Sequence, residues 1–378
     1  MKFVHVFHNF YPVVGGLENV VKFLAEGTAK LGYEVHVVTS TYGAEDRPKE
    51  EEVDGVYIHR VKAFRLRYPD LTIPREIPRD VLRCADVVHG HSQNSLFTIK
   101  VLEEAKRLGA KTVIHFMAVD AFKDHPNPLI RLLAPYYGGR WALRKVIEVC
   151  DAKLVRSRRD EEVLKKRYGI ETIYIPDGIP KELFEKPSMA REFRDRYGVC
   201  EPFVVYIGRL HRLKGVDVLI KAMSIVVKEI PGLKAIIIGP GDQSPYKSLA
   251  RKLGVERNVL FLGFVDEDTK IGAIDASLAL VLPSVCDYIE VYPMVISEAW
   301  ARGKPVIASS VGGVPYRVKD NVNGLLVPPR DPYSLAKAIV ELYSDRDLAE
   351  RLGREGKKEV YSWDEIVNKL ISTYQGLV

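Results

Sequence analysis

Short apolar runs alternate with longer amphipathic stretches along the first half of the chain. The runs at residues 2–7, 34–40, 85–91 and 111–116 have the length and composition of buried strands, and the stretch at 17–31 has helical periodicity. Repetition of strand, helix and strand predicts a parallel sheet that helices cover on both faces.

This series continues through an aromatic and basic helix to two further strands. The helix is predicted at 128–149 and the strands at 152–157 and 171–176. The segment 176–187 then interrupts the pattern with several prolines and a glycine, which predicts a linker.

A second series of strands and helices follows the linker and has a similar architecture, although no residue-level repeat relates the two halves. A chain of 378 residues is too long for one ordinary core and suits two α/β domains of roughly 150 to 200 residues. The predicted strands lie at 203–208, 233–239, 258–263, 277–283 and 305–309, the helices at 216–229, 245–253 and 293–302, and a last amphipathic helix at 362–375.

The composition is that of a globular protein, with 47% hydrophobic and 28% charged residues, and no apolar run approaches the ~18 residues of a membrane span. The first residues resemble a buried strand rather than a secretory signal, and Cys84, Cys150, Cys200 and Cys286 have neither paired nor metal-ligand spacing. We therefore expect a reducing, cytoplasmic environment. Only three glutamines accompany many Lys, Arg and Glu residues, a bias reported for proteins of hot environments.

The excess of positive charge is local. Residues 121–170 contain twelve Lys or Arg against six Asp or Glu, an excess equal to the formal net charge of +6 of the whole chain. Because Tyr136, Tyr137 and Trp141 interrupt this basic segment, it suits a membrane surface or an anionic acceptor. A solvated helical face is the alternative interpretation.

In doubly wound sheets, ligands bind outside the carboxyl ends of the strands, so the loops between strand and helix carry the candidate chemistry. After the first strand, Gly15 and Gly16 lie directly before a predicted helix. Paired glycines let backbone N–H groups approach an anion, and the helix N-terminus adds partial positive charge. The loop predicts a phosphate site, with a simple tight turn as the alternative.

The first strand of the second half leads into a loop with two cations. Arg209 follows Gly208 at the strand terminus, and Lys214 precedes Gly215 and the next helix. An Arg fork offers paired N–H groups and Lys a point charge, which together suit a diphosphate. Ordinary surface cations are the alternative.

Two carboxylates accompany the start of the predicted helix at 293–302. Pro293 suits a first helical residue and Gly303 a helix stop, so that Glu290 lies in the loop before the helix and Glu298 lies inside it. Eight residues of continuous helix would span about 12 Å, roughly the distance from a sugar to a neighbouring ribose. Carboxylates bind pairs of hydroxyls, and the helix N-terminus between them is available for phosphate. Two solubilising glutamates are the alternative.

Several independent motifs occur in order along nearly the whole chain: FYPVVGGLENVVKFLAEGTAKLGYEVHVVTS, DVVHGHS, GRLHRLKG, NVLFLGFV, SEAWARGKPVIASSVGG and NGLLVPPRDP. With these motifs the chain resembles glycosyltransferase family 4, whose members have the GT-B fold of two facing, doubly wound Rossmann-like domains around a central cleft. The resemblance implies an acceptor-side domain at 1–180, a nucleotide-sugar-binding domain at 181–361 and a C-terminal helix at 362–378 that packs back on the first domain.

The resemblance also implies roles for individual residues. Glu290 would contact the transferred sugar, Glu298 would hold the ribose, and the two loop cations would bind the diphosphate. Gly16 would present its N–H group to the donor phosphate. His115 would lie beside the donor sugar, although alone it equally suits a hydrogen-bonded structural histidine. The catalytic candidates are His115, Glu290, Arg209 and Lys214, and the donor-binding candidates are Gly15, Gly16, Arg209, Lys214, Glu290, Tyr292, Pro293, Met294, Val295 and Glu298.

The implied activity is retaining transfer of a hexose-type sugar from a nucleotide-diphosphate sugar to a glycan or lipid-linked acceptor. Fixed positive charge stabilises the departing diphosphate, so neither a metal nor another cofactor is expected. In the family, the acceptor attacks from the face that the leaving group vacates and a donor phosphate oxygen acts as base, so no carboxylate is named as nucleophile. We also expect peripheral contact of the first domain with the inner face of the membrane, and no nucleic-acid partner.

The sequence departs from the family pattern at three places. Tyr292 is followed by Pro293 where glycine is common, which removes an N–H donor near the donor phosphate or sugar. Tyr316 and Arg317 follow VGGVP where the family often has glutamate, and Asp177 stands where asparagine is usual. These changes bear on donor-sugar specificity more than on the fold.

Other functions stay open from the sequence. Nucleotide-sugar epimerases and sugar phosphorylases also use facing α/β domains, and a sugar-nucleotide-binding regulator without turnover is the non-enzyme alternative. An oxidoreductase is disfavoured because GPGDQS lacks the third glycine of a dinucleotide fingerprint. Alternation in buried strands explains the pairs His5/His8 and His89/His91 better than metal binding does.

Overall fold

The contacts of the chain divide it into two compact units. Unit 1 comprises Met1–Gly178 and Ser362–Val378, and unit 2 comprises Ile179–Tyr361. No helix among the described residues is long and apolar enough to cross a lipid bilayer. The start of the basic segment, residues 121–126, lies outside the described residues. The computed structural model describes residues 1–13, 15–66, 71–120 and 127–378.

Unit 1 is built on a mainly parallel sheet, as the alternation of its apolar runs predicts. Its described strands are β1 (Lys2–Val6), β2 (Glu34–Ser40), β3 (Glu50–Val53), β4 (Val56–Val61), β5 (Ala63–Arg65), β6 (Thr72–Pro74), β7 (Val87–His91), β8 (Lys111–Phe116), β9 (Ala152–Val155) and β10 (Ile173–Tyr174). Eight of these strands form the sheet in the order β10-β9-β8-β7-β1-β2-β4-β3. Strand β3 is antiparallel to β4, and β5 and β6 form a separate antiparallel pair.

One of the helices predicted for unit 1 is interrupted in the structure. The helix predicted at 128–149 is not continuous, because a π-helical turn, Tyr137–Ala142, interrupts it. Pro135 lacks an N–H donor and two glycines follow it, so regular α-helical hydrogen bonding is weakened at this point. The described helices are α1 (Gly16–Lys30), α2 (Arg79–Arg83), α3 (Leu96–Arg107), α4 (Pro128–Tyr136), α5 (Leu143–Val149) and α6 (Arg158–Tyr168).

Unit 2 contains an all-parallel sheet of six strands that helices cover. The strands are β11 (Phe203–Ile207), β12 (Lys234–Ile238), β13 (Val259–Gly263), β14 (Leu280–Leu282), β15 (Val306–Ser309) and β16 (Leu325–Val327), in the order β13-β12-β11-β14-β15-β16. The helices are α7 (Glu182–Glu185), α8 (Ala190–Tyr197), α9 (Val216–Glu229), α10 (Ser244–Lys252), α11 (Glu267–Ala276), α12 (Met294–Ala301), α13 (Val314–Arg317), α14 (Pro332–Ser344) and α15 (Arg346–Lys357).

Each sheet is doubly wound, which confirms the predicted α/β class. In unit 1 the chain runs from β1 to β2 on one side of β1 and later adds β7 on the other side. In unit 2 it runs from β11 to β12 and β13 and later adds β14 on the opposite side. Ligands of such sheets bind at these points of reversal, so the loops after β1, β7, β11 and β14 are the candidate site loops.

The last helix, α16 (Trp363–Gln375), completes the core of unit 1. A capping box at Ser362 and Glu365 fixes its start. Gly27 of α1 allows the two helices to approach, because a Cβ there would lie 2.7 Å from a methyl group of Val367. Tyr374, fully buried, shares a hydrogen bond of 2.6 Å with a buried histidine of the sheet.

That histidine, His89, belongs to a buried group of four. His5 lies beside His89 in register, and His91 lies beside His115, so all four rings are on one face of the sheet. Burial lowers the pKa of His5 to about 4, so the ring is neutral at pH 7. Ring nitrogens of His5, His89 and His91 lie within 4.8 Å of one another. That these histidines are structural rather than metal ligands stays a prediction.

Candidate active site

Two loops meet where β11 and β14 lie side by side in unit 2. After β11, a short 3-10 turn carries Lys214, and Gly215 follows with a φ of 69° before α9 begins. A Cβ on Gly215 would overlap the carbonyl oxygen of Pro283 in the loop after β14. Glycine at this position therefore allows the two loops to touch, both by its positive φ and by its small size.

The contact between these loops places two predicted site residues, Lys214 and Glu290, next to each other. The Lys214 Nζ lies 2.7 Å from Glu290 Oε1, and the Ser284 hydroxyl donates to the same oxygen at 2.5 Å. The Glu290 side chain is 2% exposed and the Lys214 side chain 20% exposed. A carboxylate so deeply buried needs a cation and a hydrogen-bond donor to offset its lost hydration.

The second predicted cation, Arg209, is exposed at the end of β11. The Tyr206 hydroxyl donates to the Arg209 carbonyl oxygen at 2.9 Å, which fixes the backbone at this point. Within the described part of the chain, no carboxylate pairs with the Arg209 guanidinium. Its N–H groups are therefore free to bind an anion, in contrast to the ammonium of Lys214.

Glu298 lies on α12, as the sequence predicts, and it also has a cationic partner. The Lys270 Nζ on α11 lies 3.0 Å from Glu298 Oε1 and 2.8 Å from Glu267 Oε2. Burial lowers the pKa of Lys270, but the two carboxylates raise it more, so the net pKa lies above its usual value. Lys270 thus stays charged and orients the Glu298 carboxylate.

The glycine pair that follows β15 holds the loop of Glu290 in place. The Gly313 N–H donates to the Glu290 carbonyl oxygen at 2.6 Å, and the Gly312 N–H donates to the Asp287 carboxylate at 2.7 Å. A Cβ on Gly312 would overlap the Glu290 carbonyl oxygen, and one on Gly313 would overlap that of Val291. The VGG motif is therefore a packing requirement of the site loop.

The start of α12 is held by Arg317, the second of the two residues that follow VGGVP. The Arg317 guanidinium lies 3.9 Å from the centroid of the Tyr292 ring. It donates to the Pro293 carbonyl oxygen at 2.8 Å and to the Ser297 hydroxyl at 2.6 Å. Pro293 is the residue before the helix rather than its first residue, because its ψ of 106° is extended.

Met294 and Val295 are consequently the first two residues of α12. The first residues of a helix present N–H groups that the helix itself does not satisfy. These two positions, which the sequence places among the donor-binding candidates, lie within eight residues of both Glu290 and Glu298.

The predicted glycine loop of unit 1 begins α1. Gly15 is the N-cap, with an extended φ of −164°, and Gly16 is the first helical residue. A Cβ on Gly15 would overlap the carboxylate of Glu18, which folds back over the loop, whereas a Cβ on Gly16 would have no heavy atom within 4 Å. The Gly16 backbone is therefore open to a ligand, and Glu18 carries the charge nearest to Gly15.

His115 ends β8 as a buried side chain. Its Nε2–H donates to the Ile175 carbonyl oxygen at 3.2 Å, and its Nδ1 has no partner in the described structure. Burial, and secondly the charge of Arg156, lower the pKa of His115 to about 3. Arg156 is itself paired with the buried carboxylate of Asp177, which explains an acid where the family usually has asparagine. The role of His115 beside a sugar stays a prediction.

Three residues that contact the candidate site were not among the predicted site residues. Ser284, Lys270 and Arg317 each contact a predicted site residue or the loop that carries it. Ser284 stands two residues after the end of β14, so a search of the loops after predicted strands would have found it. Lys270 and Arg317 lie on helices, where a charged residue carries no such positional signal.

Two family models together cover most of the chain. Residues 14–183 match the model described as Glycosyltransferase Family 4. Residues 192–359 match the model described as Glycosyl transferases group 1. The first match covers most of unit 1 and the first residues of unit 2, and the second match lies within unit 2.

Similar proteins agree with these matches. An uncharacterized glycosyltransferase of Methanocaldococcus jannaschii is 30% identical over 99% of this chain and 98% of its own length. A GDP-mannose-dependent alpha-(1-6)-phosphatidylinositol monomannoside mannosyltransferase of Mycobacterium tuberculosis is 36% identical over 54% of this chain and 55% of its own. The crystal structure of Anabaena HepE in complex with UDP is similar in fold, with a TM-score of 0.78 at 20% identity over 100% of both chains. The chain therefore belongs to the group 1 glycosyltransferases of family 4 and has their GT-B fold.

Proposed function

We propose that this glycosyltransferase moves a hexose-type sugar, with retention of its anomeric configuration, from a nucleotide-diphosphate sugar to a glycan or lipid-linked acceptor. The observation that carries the proposal is the contact of Lys214 with the buried Glu290, in the loop that also carries Arg209, which has no ion-pair partner among the described residues. A donor of this class presents two phosphates and a ring of hydroxyls, which need cations and a carboxylate side by side.

On this proposal, donor binding changes the partners of Lys214 and Glu290. A bound diphosphate gives Lys214 a second anionic partner and receives paired N–H groups from Arg209. The Glu290 carboxylate, released in part from Lys214 and still held by Ser284, then accepts hydrogen bonds from sugar hydroxyls. Glu298, oriented by Lys270, accepts in the same way from the ribose.

The transfer step needs positive charge more than it needs a protein nucleophile. The bond between the anomeric carbon and the phosphate oxygen breaks, and its electron pair leaves with the diphosphate. Arg209 and Lys214 stabilise that charge as it develops, which is the role that a metal ion has in other transferases, so we propose metal-independent transfer. The acceptor oxygen bonds to the anomeric carbon on the same face, and its proton passes to a phosphate oxygen of the donor.

His115 would act as a neutral group. A pKa near 3 keeps the imidazole uncharged at pH 7. Its Nε2–H is already donated to Ile175, so the Nδ1 lone pair is what remains for a hydroxyl of the donor sugar. We therefore propose a hydrogen-bonding role for His115 and not proton donation.

The experiment is a donor panel followed by product analysis. GDP-mannose and UDP-glucose are the first donors to test, because similar proteins are described with GDP-mannose and with UDP-glucose. We expect one donor to raise the thermal midpoint of the protein by linkage and to release its nucleoside diphosphate when an acceptor is supplied. NMR of the product should show the anomeric configuration of the donor, and EDTA should leave the rate unchanged.

The outcomes separate the competing functions. Binding without release of nucleoside diphosphate to any acceptor would indicate a non-catalytic regulator. A donor sugar whose stereochemistry changes without an acceptor would indicate an epimerase. Inversion at the anomeric carbon would refute the proposed course of transfer, and loss of the rate with EDTA would refute metal independence.

We also propose that the protein works in the cytoplasm, at the inner face of a membrane. Its four cysteines are free thiols, which supports a reducing compartment. A phosphatidylinositol mannoside is the acceptor named for one similar protein, and such an acceptor resides in a membrane. The surface that would meet the membrane belongs to unit 1.

A further inference from the structure

A cavity of 310 Å³ opens in unit 1 at the carboxyl ends of β7 and β8. Its volume lies at the lower end of the range for small-molecule sites, about 300 to 1,000 Å³. Gln93 and Asn94 line it from the loop after β7, and Val119 and Asp120 line it from the loop after β8. These loops follow parallel strands at the carboxyl edge of the sheet, where doubly wound folds bind their ligands.

The π-helical turn Tyr137–Ala142 shapes one wall of this cavity. A Cβ on Gly138 would lie 3.0 Å from Asn94 Oδ1, which is tighter than an ordinary contact. Gly139 faces the Asp120 carboxylate, with 3.6 Å between an added Cβ and Oδ1. The two glycines therefore leave backbone, rather than side chains, beside the polar groups of the cavity. π-Helical turns of this kind recur at functional sites.

The charge of the cavity is positive. The Asp120 carboxylate is already occupied, because the Arg167 guanidinium lies 2.8 Å from Oδ2 and the Tyr168 hydroxyl donates to Oδ1 at 3.1 Å. Arg140 also lines the cavity, and no carboxylate pairs with it in the described part of the chain. One unpaired guanidinium thus remains to bind an anionic group.

Helix α4 presents an unusual apolar face directly beside this cavity. The face consists of Leu129, Leu132, Leu133 and Tyr136, which are 63%, 66%, 54% and 63% exposed. Their spacing of three and four residues places them on one side of the helix. We name this surface the leucine face. In a globular protein the apolar side of a helix normally packs on the core, whereas this one faces outward.

The leucine face and the cavity are continuous. A second, shallower cavity of 320 Å³ is lined by Arg131, Leu132, Pro135, Tyr136 and Arg140. Of these residues, Pro135 and Arg140 also line the first cavity.

The charge of this segment has one sign. Residues 127–147 contain four Lys or Arg and no Asp or Glu. An apolar helical side bordered by cations is typical of helices that lie in the interface of a membrane, and unpaired basic residues are attracted to anionic lipid.

We propose that this surface is the acceptor site and that the acceptor is a membrane lipid with an anionic head group. The head group enters the cavity beside Arg140, and the lipid chains contact the leucine face. This inference rests on the proposed glycosyl transfer and adds to it the chemical class of the acceptor. It also accounts for the exposed leucines, because a lipid bilayer would bury them and no second protein is then needed.

The test is binding to vesicles by flotation. The wild-type protein should float with phosphatidylcholine vesicles that contain about 20 mol% phosphatidylinositol and should not float with phosphatidylcholine alone. The triple variant Leu129→Gln/Leu132→Gln/Leu133→Gln should bind about tenfold less, and Arg140→Gln about fivefold less. The single variant Leu132→Gln, at the most exposed leucine, repeats the test if the triple variant unfolds.

Two matched control variants distinguish binding at this site from nonspecific electrostatic and hydrophobic binding to the vesicles. Phe264→Gln removes an 83% exposed aromatic ring of unit 2 and should leave vesicle binding unchanged. Arg144→Gln removes the same charge as Arg140→Gln from the same segment, but Arg144 is paired with Glu148 at 2.8 Å, so binding should fall by less than about twofold. Equal losses for the two arginines would overturn the head-group site, and undiminished binding of the leucine variants would overturn the membrane contact.

Two further measurements are needed. One determines whether the anionic group is recognised as part of a lipid, and the other separates a failure of this inference from a failure of the proposed function. Soluble inositol 1-phosphate should bind more weakly than the vesicles, and equal affinity would show that lipid chains contribute nothing and overturn the lipid assignment. Nucleotide-sugar binding is measured on the wild-type protein without vesicles. A protein that binds donor but never vesicles overturns this inference alone, whereas one that floats but neither binds nor turns over donor overturns the proposed function.

Discussion

Replacing Lys214 with Met should destabilise unit 2 and slow transfer, whereas replacing Arg209 with Gln should only slow transfer. The two cations differ because Lys214 compensates the buried Glu290 and Arg209 is exposed without an ion-pair partner among the described residues. Removing one member of a buried ion pair costs ~3–5 kcal/mol, and we take about 3 kcal/mol because Lys214 retains some exposure and Ser284 still donates to the carboxylate. At ~2–4 °C per kcal/mol for a domain of this size, the thermal midpoint of unit 2 should fall by about 6–12 °C.

The assay is thermal unfolding of the two single variants, together with transfer rates at a temperature where both are folded. Both rates should fall by about 100-fold or more, since each variant removes one cation from the leaving diphosphate. The double variant Lys214→Met/Glu290→Gln should recover most of the midpoint, because no buried charge is then left uncompensated. If Lys214→Met is as stable as Arg209→Gln, the pair does not stabilise unit 2 and this reasoning is refuted.

Three further changes test other parts of the molecule. Lys270→Met leaves the proposed ribose-binding carboxylate without its cation, so steady-state kinetics should show donor KM rising about tenfold with little change in kcat. Gly16→Ala has room for its Cβ, so the thermal midpoint should be unchanged while donor KM rises about fivefold. An unchanged KM would show that this loop does not bind the donor phosphate. Burial holds the pKa of His5 near 4 and that of His115 near 3. Below pH 6.5 the unfolded chain therefore binds more protons than the folded chain, and each of these two histidines lowers the free energy of unfolding by ~1.4 kcal/mol per unit of falling pH. Hydrogen exchange at pH 5 should therefore show unit 1 opening before unit 2, whose one histidine is His211, and simultaneous opening would contradict this.

The central elements of the fold could be predicted because burial on both faces leaves a clear apolar signal. The strand predicted at 111–116 is β8, and the helix predicted at 216–229 is α9, with the same bounds. Strand β3, with the sequence EEEV, was missed because it is a partly exposed edge strand whose charged residues carry no strand signal. The interruption after α4 was also missed, because the prediction followed the apolar periodicity across Pro135 and the two glycines after it.

The site could be predicted in part. Glycines, cations and carboxylates at the ends of strands suited a diphosphate and a sugar, although each also had an ordinary structural alternative. Which of them touch could not be predicted, because Lys270 and Glu298 are 28 residues apart and nothing in a single sequence reports their distance. The same holds for Arg317, whose contact with the loop at Tyr292 depends on the packing of α13. Partners of this kind orient the side chains of the site, and only the folded structure shows them.

The topology nevertheless explains why distant motifs become neighbours. Lys214 follows β11 and Glu290 follows β14, and these two strands lie side by side although the residues are 76 positions apart. The same relation holds in unit 1, where His8 follows β1 and Ser95 follows β7, and their Nδ1 and Oγ are 2.9 Å apart. In both units the loops meet because the chain reverses its direction of strand addition between them. The architecture therefore fixes where chemistry can be placed. The contact is between a hydroxyl and an imidazole in unit 1 and between a lysine and a carboxylate in unit 2, so the cations that the proposed function assigns to the diphosphate belong to unit 2.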